Sequence, residues 1–263
     1  MTDIAQRELA LEVTGLSKTF HSRSGGSRDA LSDVSFSIEC GSCLAVVGES
    51  GSGKTTAARI VAGLEQATRG QVRLREQPNT GKTRRGVQMV FQDPYSSLDP
   101  RQAIGPGLHE LLRLHGLRRR SERQDRVAEL LNSVGLDERH AKQYPRSLSG
   151  GQRQRVAIAR ALALDPALLI LDEAVSALDV SVQAQVLNLL ADIRQATNIS
   201  YMFVSHDLGV VRQVSETCVV LRQGRVVEAG RTADVLDSPQ AAYTQALVDA
   251  VPRPGWRPKR RSA

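Results

Sequence analysis

Eight consecutive residues, Gly48-Glu49-Ser50-Gly51-Ser52-Gly53-Lys54-Thr55, fit the pattern G-x-x-x-x-G-K-[ST] in full. Glycines at these places let a backbone wrap a triphosphate and turn its N–H groups toward it. Lys54 is placed to reach β- and γ-phosphate oxygens, and the Thr55 hydroxyl to bind Mg²⁺. A second constellation, Leu168-Leu169-Ile170-Leu171-Asp172-Glu173, is an apolar strand ending in two carboxylates. Carboxylates at the C-terminal end of a parallel strand face the ligand crevice. Asp172 is therefore expected to hold Mg²⁺ through water, and Glu173 to polarise an attacking water as general base. An ordinary acidic strand-to-helix cap has the same composition, and the phosphate loop is what favours the catalytic reading. A third run, Leu148-Ser149-Gly150-Gly151-Gln152, has its serine 95 residues beyond Lys54. A serine and two glycines at a helix start offer bare N–H groups and partial positive charge, which makes a second anion site. Two phosphate sites on one chain suggest that two copies meet head to tail and share nucleotides.

These residues need strands and helices to hold them. Leu9–Leu16 and Val34–Ile38 read as short strands joined by a Ser/Gly/Arg-rich loop at residues 21–29. Cys43–Val47 is an apolar run of strand length that breaks at Gly48, and helix-favouring residues follow from Lys54 to Leu64. Strand, glycine loop, helix is the setting a phosphate loop requires. Val72–Leu74 and Val87–Phe91 are further strand candidates. From Gln102 to Ala141, apolar residues recur at spacings of three and four (Leu108, Leu111, Leu112; Val127, Leu130, Leu131, Val134), the mark of amphipathic helices. Pro145 ends that region, Val156–Leu164 continues a helix, and Asp165-Pro166 stops it. A helix near Val182–Ala196, a strand at Tyr201–Val204 and a hairpin of Cys218–Leu221 with Arg225–Glu228 complete the pattern. Alternating strands and helices predict an α/β core around a mainly parallel sheet, with the all-helical stretch near 93–160 inserted into it.

Bulk composition agrees. The chain has 263 residues, 41% hydrophobic and 24% charged, enough for a sizeable core, which with 3% aromatics has to be aliphatic. No apolar run approaches the length of a membrane span. Met1-Thr2-Asp3-Ile4 shows no signal-peptide pattern, so a cytoplasmic protein is expected, free or resting against a membrane. Net charge is +7, but five basic residues lie between Pro252 and Ala263, and without them it falls to +2. That tail reads as a solvated C-terminus or as a contact for anionic lipid or an acidic surface. Few aromatics are available to stack on bases, which argues against a nucleic-acid partner. Cys40-Gly-Ser-Cys43 has redox spacing but lies before a strand without thioredoxin-like surroundings, so a turn with a buried thiol is expected.

Taken together, the motifs resemble the nucleotide-binding subunit of ATP-binding-cassette (ABC) transporters over nearly the whole chain. Besides the three runs above, Gln92 in Val90-Phe91-Gln92-Asp93 resembles the family's glutamine between core and helical insertion. Ser176-Ala177-Leu178-Asp179 resembles its D-loop, His206 in Val204-Ser205-His206-Asp207 its switch histidine, and Phe20 its adenine-stacking aromatic. The resemblance implies a P-loop NTPase (RecA-like) α/β core with an N-terminal antiparallel β-subdomain and an inserted α-helical subdomain. It divides a single ABC ATPase domain into a core at 1–92 and 161–239, a helical part at 93–160 and a C-terminal segment at 240–263. It further implies ATP contacts from Phe20, Gly48, Ser50, Gly51, Ser52, Gly53, Lys54, Thr55 and Thr56, and Mg²⁺ held by Thr55, Gln92 and Asp172. Catalysis then rests on Glu173, His206 and Gln92. Ser149, Gly150, Gly151 and Gln152 would touch the ATP of a second subunit, with Asp179 nearby. Where many members carry Pro-Thr, this chain has Ala174-Val175, a departure expected to bear on the loop that meets the partner.

Gln92–Arg101 and the end, Ser238-Pro239 with Ala242–Leu247, resemble peptide and nickel importer ATPases. That group implies a second ATPase subunit, a different paralogue or an identical copy. It also implies two permeases docking near 93–101, a substrate-binding protein outside the membrane, and a place at the cytoplasmic membrane face. Some members hold an iron–sulfur centre on C-terminal cysteines; none follows Cys218 here, so none is expected. The competing readings are a soluble ABC ATPase acting on nucleic acid or ribosomes, and a subunit that binds ATP without turning it over.

Overall fold

The structure is a computed structural model that describes residues 8–21, 26–75, 86–93, 97–117 and 119–251. Two sheets organise it. Strands β1 (Leu9–His21), β2 (Ser27–Glu39) and β4 (Arg69–Leu74) form an antiparallel sheet in the order β2-β1-β4. The second sheet runs β5-β6-β7-β3-β8-β9, built from β3 (Cys43–Val47), β5 (Val87–Val90), β6 (Leu168–Asp172), β7 (Ser200–Ser205), β8 (Thr217–Arg222) and β9 (Arg225–Arg231). Its neighbours pair in parallel except β9, which returns antiparallel after the turn at Gln223-Gly224. β3, β6 and β7 are buried at every position, because helices cover one face of this sheet while the antiparallel sheet and the helix after β3 cover the other. The expected α/β architecture, with a separate antiparallel sheet and an inserted helical part, is the one observed.

Several boundaries differ. β1 and β2 are each thirteen residues long, well past the expected Leu9–Leu16 and Val34–Ile38, and they pair as far as His21 with Ser27. The polar outer half of this ribbon carries no apolar alternation, so pairing rather than burial extends it. Helix α1 (Lys54–Val61) stops three residues short of Leu64, where Gly63 turns the chain at φ +75°. The helical part between β5 and β6 contains α2 (Ile104–Leu114), α3 (Arg120–Ser133) and α4 (Gly150–Leu162), with 3-10 turns at Glu138–Lys142 and Pro145–Ser147. Leu108, Leu112, Val127, Leu130, Leu131 and Val134 are all buried in one cluster, as their spacing predicts. Helix α5 (Val180–Thr197) precedes β7, and α6 (Leu208–Val214) follows it. Helices α7 (Thr232–Asp237) and α8 (Ala242–Asp249) pack Val235, Leu236 and Val248 against Ala45, Val47 and Val220 of β3 and β8.

All three cysteines are free thiols. Cys43 is fully buried in β3, and burial pushes its thiol well above the usual range. Among the described residues no helix is long and apolar enough to cross a membrane. The basic tail at 252–263, and Pro94, Tyr95 and Ser96 of the segment expected to meet a permease, lie outside the described residues.

Candidate nucleotide site

Strand β3 lies between β7 and β8, with β6 on the far side of β7, so three strand ends converge. Val47 pairs with Ser205, and Asp172 with Val204. The loop after β3 (Gly48–Gly53), the carboxylates after β6 and His206 after β7 therefore share the carboxyl edge of one parallel sheet, where ligand crevices form.

Inside the loop, Lys54 is only 5% exposed, and its ammonium donates to the carbonyls of Gly48 at 2.8 Å and Glu49 at 2.9 Å. Burial lowers its pKa, and the nearby Glu173 and Asp172 charges pull it back up. A buried cation resting on two carbonyls is held ready for a stronger anionic partner. The buried Ser52 hydroxyl has no hydrogen-bond partner among the described residues, an unsatisfied group that an anion's oxygen would fit. Gly53 opens α1 at φ +106°, where a Cβ would come within 2.6 Å of the Ala30 carbonyl oxygen. Ser50 and Gly51 belong to the turns of the loop, and Thr56 is half-buried in the first turn of α1.

At the foot of the loop the Thr55 hydroxyl donates to an Asp172 carboxylate oxygen at 3.2 Å. Asp172 is 7% exposed, and burial raises its pKa against the lowering effect of that hydrogen bond. Glu173 follows at φ +49°, a left-handed conformation that costs a non-glycine residue on the order of 1 kcal/mol. Its N–H donates to the Val204 carbonyl at 3.0 Å, which locks β6 to β7 at this point. The Glu173 carboxylate meets two groups from different strand ends. Gln92 Nε2 donates to one oxygen at 3.2 Å, and His206 Nδ1 lies 3.4 Å from the other. Thr55 with Asp172, and Gln92 with Glu173 and His206, thus form two adjacent bonded groups at the loop. Hydroxyl, carboxylate and amide oxygens are hard donors, the kind Mg²⁺ takes alongside phosphates and water.

Phe20 stands apart from this cluster. It is 41% exposed near the end of β1, with Lys18 Nζ 4.8 Å from its ring centre. Ser149 caps α4 in a reciprocal box: its hydroxyl accepts the Gln152 N–H at 3.2 Å, and its own N–H donates to Gln152 Oε1 at 2.9 Å. Gly150 and Gly151 open the helix behind it. Gly151 is buried, and a Cβ there would come within 2.4 Å of Val182 in the first turn of α5. Gly150 faces Leu178, so this run and Ser176–Asp179 lie side by side. Asp179 is exposed before α5, and Val180 beside it is 83% exposed. Ala174 and Val175 are each 3% exposed and belong to the aliphatic core, so their effect on a partner runs through the backbone.

Sequence reasoning passed over three contributors. Arg28, opposite Phe20 in the ribbon, reaches within 3.7 Å of the place a Gly51 Cβ would occupy, putting a cation beside the loop. Gly224 donates its N–H to the Ser52 carbonyl at 2.9 Å, and its own carbonyl accepts from Ser32 at 2.7 Å. The Tyr243 hydroxyl of α8 accepts the Glu49 N–H at 3.1 Å. All three act across more than twenty residues of sequence, outside the reach of local motifs.

Residues 31–176 match the family model described as ABC transporter. The chain is 45% identical over 262 residues to the glutathione import ATP-binding protein GsiA of Salmonella typhimurium, covering 95% of this chain and 42% of that protein. It therefore spans less than half the length of these relatives. It is 43% identical over 262 residues to the oligopeptide transport ATP-binding protein AppF of Bacillus subtilis, covering 94% of this chain and 80% of the relative. Among solved structures it resembles the dimeric, post-hydrolysis ATP-binding cassette MJ0796 bound to ADP and Pi, with TM-score 0.74, 29% identity, and coverage of 84% of this chain and 98% of that one. With the family model over most of its core, relatives along nearly its whole length and the cassette fold in three dimensions, this chain belongs to the ABC transporter family.

Proposed function

We propose that this chain is the ATP-binding and ATP-hydrolysing subunit of an importer, placed at the cytoplasmic face of a membrane, whose cargo is a peptide or peptide-like small molecule. The observation that carries the reading is the pair of bonded groups, Thr55–Asp172 and Gln92–Glu173–His206, at the foot of the phosphate loop. Lys54 exchanges the Gly48 and Glu49 carbonyls for phosphate oxygens, and the N–H groups from Ser50 to Thr56 cradle the β-phosphate. Thr55, Asp172 and Gln92 would hold Mg²⁺, whose charge, when bound, offsets that of the phosphates. Glu173 takes a proton from the attacking water, while Gln92 and His206 Nδ1 hold its carboxylate in place and the other ring nitrogen of His206 serves the γ-phosphate. Phe20 supplies a face for adenine.

An exposed Val180 beside Asp179, next to Ser149–Gln152, supports a second subunit closing over the nucleotide. The dimeric cassette named above is a precedent for such a pair. Residues 93–160 act as the helical part that meets the permeases. A groove of about 760 Å³ supports this, lined by Phe91, Leu98, Leu108, Leu111 and Leu114 between β5, α2 and α4. The core at 1–92 and 161–239 and the segment at 240–263 complete the division, and a substrate-binding protein outside the membrane completes the assembly. Peptide cargo draws on the names of GsiA and AppF; nickel draws no support from them.

Replacing Glu173 with Gln tests the reading. The variant should keep ATP binding while steady-state turnover falls roughly 100-fold or more, the scale of a positioned general base. Unchanged turnover would remove Glu173 from this role and the hydrolytic mechanism with it.

A further inference from the structure

The C-terminal helix reaches the phosphate loop through one side chain. Tyr243, in the first turn of α8, packs its ring against the Ala45, Val47 and Val220 cluster that underlies the loop. The Arg222 guanidinium lies 4.8 Å from the ring centre and covers it. The phenolic oxygen accepts the N–H of Glu49 at 3.1 Å. The carbonyl of the same Glu49 accepts from Lys54 Nζ at 2.9 Å. One residue of the loop is thus gripped at both ends, by the C-terminal helix on its N–H and by the phosphate-seeking lysine on its C=O.

The helix that carries Tyr243 is itself fixed. Glu228 of β9 accepts the N–H of Gln240 at 2.8 Å and of Ala241 at 3.1 Å, just ahead of α8. Burial works to raise the Glu228 pKa, yet these N–H groups hold the carboxyl below its usual range. Glu228 therefore anchors the segment as a carboxylate at neutral pH.

We propose that Tyr243 is a positioning residue for the nucleotide: it pins the first residue after Gly48, so that Lys54 can leave the Glu49 carbonyl for phosphate without the loop losing its shape. Without the hydroxyl the Glu49 N–H loses its partner, and once the lysine departs the Glu49 carbonyl keeps the Ser52 N–H at 3.2 Å, so part of the binding energy goes into re-ordering this end of the loop. The effect falls on affinity rather than on the chemical step, because Tyr243 touches the loop and not Glu173. This inference rests on the reading of the loop as a nucleotide site.

Tyr243→Phe in the full chain removes one oxygen and keeps the ring, its core contacts and its Arg222 partner. ATP dissociation constant (by calorimetry with Mg-ATP) and KM should rise about 2- to 10-fold, the range of one hydrogen bond, with kcat changed by less than about 2-fold. Glu228→Gln should shift the dissociation constant in the same direction by a smaller factor. An unchanged dissociation constant for Tyr243→Phe overturns the proposal, whether or not the thermal midpoint falls. Lys54→Ala separates the two failures. If it binds ATP as well as the parent, the nucleotide reading itself fails; if it loses ATP while Tyr243→Phe binds like the parent, only the role of Tyr243 fails.

Discussion

At the scale of single residues, burial decides which of the polar side chains stay inert. Cys43 and Cys218 are buried thiols, with Cys218 pushed up to about 11 by desolvation and Cys43 higher still. A thiol of pKa about 11 is roughly one part in a thousand thiolate at pH 8, and the thiolate is the reacting form. Cys40 is partly exposed, with Arg75 donating to its sulfur at 3.4 Å. Brief treatment of the folded protein with a maleimide at pH 8 should label Cys40 alone, and denaturation should add the other two. Labelling of Cys43 at the rate of Cys40 would contradict its burial and reopen the redox reading of Cys40-Gly-Ser-Cys43. Residue types in fixed local spacing carried most of the candidate site. Lys54, Thr55, Asp172 and Glu173 lie inside short motifs that also state their strand and helix context. Arg28 and Tyr243 have no such neighbours in sequence. They act at the loop only because a ribbon and a terminal helix fold back on it, which no local pattern encodes.

At the scale of elements, the turn between β8 and β9 is a fastening between the two sheets. Gly224 sits at φ +77° with its N–H on Ser52 of the loop and its carbonyl on Ser32 of β2. A Cβ there would fall 2.7 Å from the Ala30 oxygen and 3.0 Å from the Leu31 Cα, both backbone atoms that cannot swing away. Gly224→Ala should therefore lower stability by about 1–3 kcal/mol, combining left-handed strain with the displaced ribbon. The same variant should weaken ATP binding, because Ser52 loses a fixed neighbour. Urea unfolding with calorimetry on the folded fraction measures both; a wild-type midpoint would show that the turn yields freely. Helix spans in the inserted part were legible because Leu108–Leu112 and Val127–Val134 repeat at three and four. The ribbon of β1 and β2 was half legible. Its inner ends alternate apolar and polar, whereas the outer ends, Lys18–His21 and Ser27–Ala30, are joined by backbone pairing that leaves no trace in side-chain pattern.

At the scale of the whole molecule, the function proposed above places both halves of a nucleotide site on one chain but on different elements. Around the loop after β3, Lys54 rests on the Gly48 and Glu49 carbonyls, Thr55 on Asp172, and Gln92 and His206 on Glu173, whereas among the described residues the Ser149 hydroxyl bonds only within its own cap beside Gly150 and Leu178. A serine already spent on its own helix would meet a phosphate only when that ligand is brought to it from outside. The exposed Val180 next to it is an apolar contact waiting for a partner surface. On the proposed function, closure by two chains would depend on ATP being present and unhydrolysed. Glu173→Gln should therefore dimerise on size exclusion with Mg-ATP and run as a monomer without it. Adding Ser149→Arg places a long cation where the partner's phosphate has to approach, so the double variant should stay monomeric with ATP bound at an affinity within about 2-fold of Glu173→Gln, since its own loop is untouched. Loss of ATP binding in the double variant would instead assign Ser149 to the chain's own site. A Glu173→Gln chain that dimerises only after the importer's other ATPase subunit is added would make the composite site one between paralogues, with the same dependence on Ser149.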